Sequence, residues 1–255
     1  MKVIQISDCH LFTDINKIGY NHINPWQSLK RILTEVSSER PEVLLVTGDI
    51  SGDGSLQSYQ HFSRLLHEAN LNCQIGIIPG NHDNQTYMQI CICRDYLWLN
   101  KPQLQLPNQW HVHLLNTQHQ ATKGQISPES LTSLSKYVNT HSDDYHLVTA
   151  HHHPIFCGGW MDTHEWINRQ AFNAVVAKYP AIKGVAYGHI HMAIEQHQNH
   201  CLYMACPATC WQFANQEYFA IEDLMPGFRV IKLLEDGQIN TSTQRLTRHT
   251  SFCNT

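Results

Sequence analysis

The chain has 255 residues, enough to bury a large core in one α/β domain. Its 17 Lys+Arg stand against 21 Asp+Glu, a formal net charge of -4, which argues against a general affinity for nucleic-acid backbone or an anionic membrane and points to a small-molecule partner. The amino terminus, MKVIQISDCHL, breaks its apolar run at Asp8 and lacks the longer apolar stretch and cleavage site of a secretory signal. No later stretch approaches about 20 uncharged apolar residues, so the expectation is a soluble, cytoplasmic protein with no membrane span.

Three short apolar runs in the first eighty residues end in glycine or a polar residue: Val3–Ser7, Val43–Gly48 and Ile75–Gly80. They read as buried strands. Between the first two, Trp26, Leu29, Ile32, Leu33 and Val36 share one helical face, and between the second and third, Leu56, Tyr59, Phe62, Leu65, Leu66 and Ala69 do the same. Strands alternating with helices imply parallel pairing, with the carboxyl ends of the strands converging on one rim. The second half repeats the grammar. A helix starts at Ser127-Pro128-Glu129, with a capping serine, a first-turn proline and a dipole-matched glutamate. Strands follow at His146–Ala150 and Lys183–Tyr187, separated by a helix over Gln170–Tyr179. Cys201–Ala205, Tyr218–Ile221 and Phe228–Leu234 are further strand candidates, and Asp236-Gly237 is a turn signal. Without repeats or a Pro/Ser-rich linker, residues 1–255 are expected to form a single domain with two packed sheets. Its core is residues 1–240, and residues 241–255 are a loose polar tail or a dimer arm of a homodimer.

Polar clusters sit at the ends of five proposed strands: Asp8-Cys9-His10, Gly48-Asp49, Gly80-Asn81-His82-Asp83, His151-His152-His153-Pro154 and Gly188-His189-Ile190-His191. Singly each is weak, because 19 histidines raise the rate of accidental pairs. His111-Val112-His113 has the same spacing inside an ordinary strand and reads as structural. Five clusters on one rim are a different matter. Alternate residues of an extended segment share a face, so Asp8 and His10, or His189 and His191, can point the same way, while glycines at 48, 80 and 188 allow close backbone approach. The nine cysteines are scattered, and neither Cys91/Cys93 nor Cys206/Cys210 repeats the spacing of a structural zinc site. Cys9, between two candidate ligands, reads as a buried thiol facing away from them.

The series ISDCH, GDIS, GNHD, HHHP and GHIH resembles the calcineurin-like metallophosphoesterase family over residues 3–191. That resemblance implies an α/β four-layer sandwich, with two mixed β-sheets flanked by helices, and a site for two divalent or transition metal ions. It implies that Asp8, His10 and His191 hold one metal, Asn81, His152 and His189 the other, and that Asp49 bridges them. The choice of His152 over His151 and His153 follows the family's usual placement of a ligand two residues before proline. The mixed N/O ligand set suits Fe, Mn or Zn better than Ca or Mg. Two such cations can lower the pKa of a bridging water and clamp phosphoryl oxygens, with Asp49, Asn81 and His82 as catalytic residues and His10, Asp49, Asn81, His82 and His191 contacting substrate. His82 is the candidate proton donor to the leaving group, against the alternative of a loop-fixing imidazole. Asp83 is expected to order its loop by accepting backbone N–H groups.

ISDCHLF, HHHP followed by GGWMDTH, and YGHIH followed by CPATCWQF further resemble the bacterial class III cyclic-AMP phosphodiesterases, implying hydrolysis of a 3′,5′-cyclic nucleotide, cyclic AMP to 5′-AMP. Cys9, GDISGDGS, Ala208 and Trp211 depart from that subgroup's pattern and touch base preference rather than the metal site. Gly158–Trp166 is either a flap that stacks an adenine or a loop packed on its tryptophans. The alternatives are another phosphodiester, a nucleotide-sugar pyrophosphate or a phosphomonoester as substrate, an inactive binding scaffold, and a His-rich metal buffer.

Overall fold

The computed structural model describes residues 1–92 and 102–248. In chain order the elements are β1 (Lys2–Ile6), α1 (Pro25–Glu39), β2 (Val43–Thr47), α2 (Leu56–Ala69), β3 (Gln74–Ile78), α3 (Gln85–Cys91), β4 (Gln103–Gln105), β5 (Trp110–Leu114), α4 (Pro128–Thr140), β6 (Tyr145–Thr149), α5 (Arg169–Lys178), β7 (Ile182–Tyr187), β8 (Glu195–Gln198), β9 (Cys201–Ala205), β10 (Gln212–Phe213), β11 (Ile221–Glu222), β12 (Gly227–Leu233) and β13 (Ile239–Arg245). Among the described residues, no helix is long and apolar enough to cross a membrane.

The helices begin where their sequences provide caps: Asn24, Ser55, Asn84 and Ser127 each accept a backbone N–H from the first turn of α1, α2, α3 and α4. Strands β1, β2 and β3 pair in parallel, β12 and β13 join them antiparallel, and the order is β13-β12-β1-β2-β3. The second sheet runs β4-β5-β6-β7-β9-β8, parallel over its middle four strands and antiparallel at both edges.

Side-chain alternation builds the layers. From the first sheet, Val3, Val43, Leu45, Ile78, Ile231 and Leu233 face inward onto Val112, Leu114, Leu147, Ala186, Leu202 and Met204 of the second. Ile4, Ile6, Leu44 and Val46 face outward onto Leu29, Ile32, Val36, Phe62 and Leu66 of α1 and α2. On the far side, Val148, Val185 and Tyr187 pack under Leu134, Val138, Phe172 and Val176 of α4 and α5. The result is helices, sheet, sheet, helices: the expected four-layer sandwich. Each large apolar side chain so buried contributes about 1.5–3 kcal/mol.

Polar ties also lock the two sheets together. Arg229 of β12 is fully buried and donates from Nε and Nη2 to the Ala205 carbonyl at 3.0 and 2.8 Å, and from Nη1 to Glu195 Oε1 at 2.6 Å. Gln5 Nε2 donates across the same interface to the Tyr187 carbonyl at 3.1 Å.

Two expectations need correction. Residues 241–245 are not a tail: they complete β13, paired with β12 from Gly227↔Arg245 to Leu233↔Ile239. Alternating exposure along this edge strand, with polar residues outward, made it read as solvated. Of Tyr218–Ile221 only Ile221 is in a strand, pairing with Phe213, and Tyr218 and Phe219 are exposed. Cys93 and residues 249–255 lie outside the described residues.

His111 and His113 belong to β5, as expected of structural residues. His111 Nε2 pairs with Asp144 Oδ2 at 2.8 Å, and His113 Nε2 meets His146 Nδ1 at 3.0 Å. Burial lowers His146 to about 4 and lowers His113 as well. Both rings are therefore neutral in the folded protein, whereas the unfolded chain takes up their protons near 6.5. Their contribution to stability is present above that value and lost as pH falls from about 6.5 towards 4. Replacing His146 with Gln should flatten this part of the stability curve by about 2 kcal/mol. Urea midpoints at pH 7.5 and 4.5 measure it, and an unchanged slope rejects the assignment.

Candidate active site

All five clusters meet at the junction of the two sheets. Asp8 and His10 follow β1, Asp49 follows β2, and Asn81 to Asp83 follow β3; the His151–His153 triplet follows β6, and His189 and His191 follow β7. The carboxyl rims of both sheets thus contribute, as a parallel arrangement requires.

Asp49 is the centre of the site and is only 2% exposed. Its Oδ2 lies 3.3 Å from His151 Nε2 and 3.7 Å from His10 Nε2, and its Oδ1 accepts the His82 backbone N–H at 2.9 Å. Asn81 Oδ1 is 3.1 Å from the same His151 Nε2. Beside it, His191 Nε2 lies 3.5 Å from Asp8 Oδ1 and 3.1 Å from His10 Nε2, while Asp8 accepts the His189 backbone N–H at 3.1 Å. Donor atoms of Asp49, His151 and His189 fall within 4.8 Å of one another, as do those of His10, Asp49 and His82.

The backbone reaches this arrangement differently from the extended exits expected. Asp8, His10, Asp49, His189 and His191 have φ of 54°, 46°, 51°, 70° and 50°, so all five lie in the left-handed region. Each such non-glycine residue costs on the order of 1–2 kcal/mol. Tight turns, rather than strand alternation, aim Asp8 and His10 inward, while Cys9 is fully buried in the α1–α2 core. Close backbone approach does occur: a Cβ added to Gly80 would stand 2.1 Å from Asp49 Oδ1 and 2.4 Å from its backbone nitrogen. Asp83 orders the loop as its residue type suggests, accepting from the backbone N–H of Gly80 at 2.9 Å and Ser51 at 3.1 Å and from the Tyr59 hydroxyl at 3.1 Å. Burial and the nearby Asp49 carboxylate push Asp83 up to about 6.

The three histidines of the triplet point in different directions. His151, and not His152, faces Asp49 and Asn81. His152 turns its Nδ1 to Thr117 Oγ1 at 2.8 Å and buries Nε2 with no hydrogen-bond partner among the described residues. His153 stacks on His189 and lies 3.4 Å from Asp162 Oδ1. β6 ends at Thr149, and the ring that reaches across to Thr47 of β2 is the one directly after Ala150.

Proton positions follow from the partners. His151 Nδ1 faces the Thr47 carbonyl at 2.8 Å, and His191 Nδ1 faces the Trp211 carbonyl at 2.8 Å. A carbonyl only accepts, so both Nδ1 atoms carry hydrogen, and in the neutral rings both Nε2 lone pairs face carboxylate or amide oxygens that can only accept. Lone pairs converging on carboxylates call for a positive charge between them. A proton fills that role at His151, where against the burial that disfavours it the Asp49 carboxylate draws the imidazole up to about 9. Burial, in contrast, lowers His10 to about 4 and lowers His189 and His191 well below the usual range, leaving neutral imidazoles with free lone pairs. Burial also raises Asp8 to about 7. Neutral imidazoles and paired carboxylates are the donor set that a borderline cation binds.

Cys210 went unremarked as a site neighbour: its Sγ lies 3.9 Å from His191 Nδ1 and groups with His10 and His191. It lies against the nitrogen directed away from Asp8, and burial keeps the thiol protonated. No spacing in the sequence signals it.

Buried imidazoles and two carboxylates, gathered where the rims of two sheets meet, define a phosphoesterase-type sandwich with a metal-ligating centre. A family model for calcineurin-like phosphoesterases matches residues 1–193, and the chain belongs to that family. It is 33% identical over 265 residues to the 3′,5′-cyclic adenosine monophosphate phosphodiesterase CpdA of Haemophilus influenzae, covering 100% of this chain and 93% of that protein. It is 30% identical to the protein of the same name from Escherichia coli K12, covering 96% and 90%. Among solved structures, a dimetal phosphatase from Danio rerio superposes with a TM-score of 0.66 at 12% identity, covering 94% of this chain and 98% of the other. GAP50, the anchor in the inner membrane complex of Plasmodium, gives 0.65 at 11% identity, covering 99% and 90%. At these identities the two structures establish the fold alone.

Replacing Gly80 with Ala should force Asp49 aside and cost about 2 kcal/mol. A urea denaturation midpoint equal to that of the unsubstituted protein would contradict this packing.

Proposed function

We propose that the protein is a metal-dependent phosphodiesterase that hydrolyses 3′,5′-cyclic AMP to 5′-AMP. The observation that carries the chemistry is the pair of fixed ring orientations: His151 and His191, pinned through Nδ1 to backbone carbonyls, direct Nε2 at Asp49 and Asp8. The substrate reading is supported by the relatives named above, which match along nearly their whole length.

In this reading Asp8, His10 and His191 would hold one cation and Asn81, His151 and His189 a second, with Asp49 offering its carboxylate at the centre of the site. Fe, Mn and Zn suit this N/O set. When bound, the two cations supply a nucleophilic water at neutral pH and neutralise charge on the phosphoryl oxygens. The protein's own residues hold and orient the reacting group. His10, Asp49, Asn81, His82 and His191 line the phosphate position. His82 is exposed, its ring edge-on to His10 at 5.0 Å between centroids, so it can reach substrate without being buried among the ligands. It donates the proton to the departing 3′ oxygen, while Asp49 holds its loop through the His82 backbone N–H. Since donors come from both sheets, the chain acts as one catalytic unit.

The rival reading is an inactive scaffold, since the same fold serves as an anchor in Plasmodium. A full donor set, with five of its members in left-handed conformations, argues against it.

Purified protein should be stripped of metal, reloaded with Mn, Fe or Zn, and assayed on cyclic AMP, cyclic GMP and bis(p-nitrophenyl) phosphate. Metal-dependent production of 5′-AMP is expected. Turnover of the generic diester alone would remove the cyclic-nucleotide assignment, and no turnover with any metal would favour the scaffold. Asn81→Ala should lower kcat at least about 100-fold. His151→Ala should bind about one metal equivalent less by elemental analysis, whereas His152→Asn should keep both. The opposite pattern would restore His152 as the ligand.

A further inference from the structure

A closed circuit of aromatic rings starts and ends on two histidines of the candidate metal centre. His10 stacks on Trp211, with centroids 5.4 Å apart and planes 25° from parallel. Trp211 meets the edge of Tyr20 at 5.3 Å, Tyr20 meets Phe219 at 5.6 Å, and Phe219 meets Phe213 at 5.9 Å. Phe213 stacks on His191 at 4.2 Å, with planes 16° apart. Trp160, from the short turn Trp160–Thr163, braces the circuit edge-on to both Phe213 and Phe219, at 4.9 and 5.1 Å.

Burial changes sharply around this circuit. Trp211 is 7% exposed, whereas Tyr20 is 49% and Phe219 is 52% exposed. Core packing explains the inner members. Trp211 is pressed against the preceding loop so closely that a Cβ on Gly19 would come within 2.1 Å of its ring. Packing does not explain two half-exposed aromatic rings, held by separate loops, meeting beside a phosphate-binding centre. Trp166, the other tryptophan of the Gly158–Trp166 segment, is fully buried against Phe172 and belongs to the core.

We infer that Tyr20 and Phe219, braced by Trp160, form the nucleobase subsite, stacking the base of a nucleotide whose phosphate lies against His10 and His191. The inference deepens the proposed function and rests on its placing of the phosphate. The members of the circuit between the two histidines are uncharged, matching an uncharged planar ring, and continuity with His10 and His191 sets the base beside the phosphate rather than on a remote surface. Base–aromatic stacking tolerates different bases because each has a π face. The Tyr20–Phe219 pair therefore supplies affinity for nucleotides with little choice between adenine and guanine.

The test compares product ligands with and without a base. Dissociation constants of 5′-AMP and ribose 5-phosphate are measured by titration calorimetry on metal-loaded protein, unsubstituted and as Phe219→Ala, Tyr20→Ala and the double variant. Both rings are half exposed, so the variants should fold, and thermal melting checks this. The unsubstituted protein should bind 5′-AMP at least about tenfold more tightly than ribose 5-phosphate, and the double variant should lose most of that advantage. Equal affinity for the two ligands in the unsubstituted protein, or an advantage that survives the double substitution, overturns the subsite. A chain that dimerises through these rings would show concentration-dependent sedimentation abolished by the double variant, and that result also overturns it. Failure of the proposed function reads differently: cyclic AMP is not hydrolysed, while the base-dependent preference and its loss still stand.

Discussion

A buried carboxylate governs this structure. Asp49 sits almost out of solvent at the junction of two sheets, where an isolated charge would be very costly. It persists because the molecule surrounds it with compensation: the His82 backbone N–H on one oxygen, and the His151 and His10 rings beside the other. Despite burial, which would raise it, the His151 imidazole holds Asp49 well below the usual carboxylate range. Each neighbour is then constrained in turn. Residue 80 has no room for a Cβ, His151 is pinned to Thr47, and Asp83 gathers backbone N–H groups from both adjoining loops.

The same centre accounts for backbone strain. Five of the thirteen left-handed non-glycine residues among those described are candidate ligands, at a combined cost on the order of 5–10 kcal/mol. A marginal domain tolerates this only on a rigid frame. Here the frame is the inter-sheet core, tied by Arg229 to Ala205 and by Gln5 to Tyr187. Arg229 reaches β9 from β12, so it fixes the spacing of the two sheets whose rims must meet within hydrogen-bond distances. Strain at the rim and rigidity between the sheets are two sides of one requirement: donors from distant parts of the chain must converge without rearranging.

Most of the fold was legible in the sequence because its strands are buried on both faces and its helices on one. Val43–Thr47 reads as an unbroken apolar run, and α1 shows its Leu29, Ile32, Leu33 and Val36 stripe directly. β13 was missed for the opposite reason: an edge strand with polar outward residues carries almost no hydrophobic signal. The candidate ligand clusters were legible as residue types in order, but not as rotamers. Three consecutive histidines differ only in direction, and direction is set by contacts invisible in one dimension, Thr47 for His151 and Thr117 for His152. The turn conformations of Asp8 and His10 were hidden likewise, since non-glycine residues give no warning of positive φ. Cys210 shows the same limit, because 19 positions separate it from the histidine it lies against.

Division of labour between rim and loops follows from these constraints. The rim residues have little freedom: Asp8, His10, Asp49, His189 and His191 are buried and held in left-handed conformations, so changes there disturb folding and chemistry together. Tyr20 and Phe219 are free of such demands. They stand on connections between elements, half exposed, and their contacts are with each other and with rings that the core already anchors. Residues that bind phosphate are common to any phosphoester, whereas recognition of what the phosphate carries must come from groups that reach beyond it. A chain built this way can alter its choice of substrate through loop residues while leaving Asp49 and its neighbours untouched.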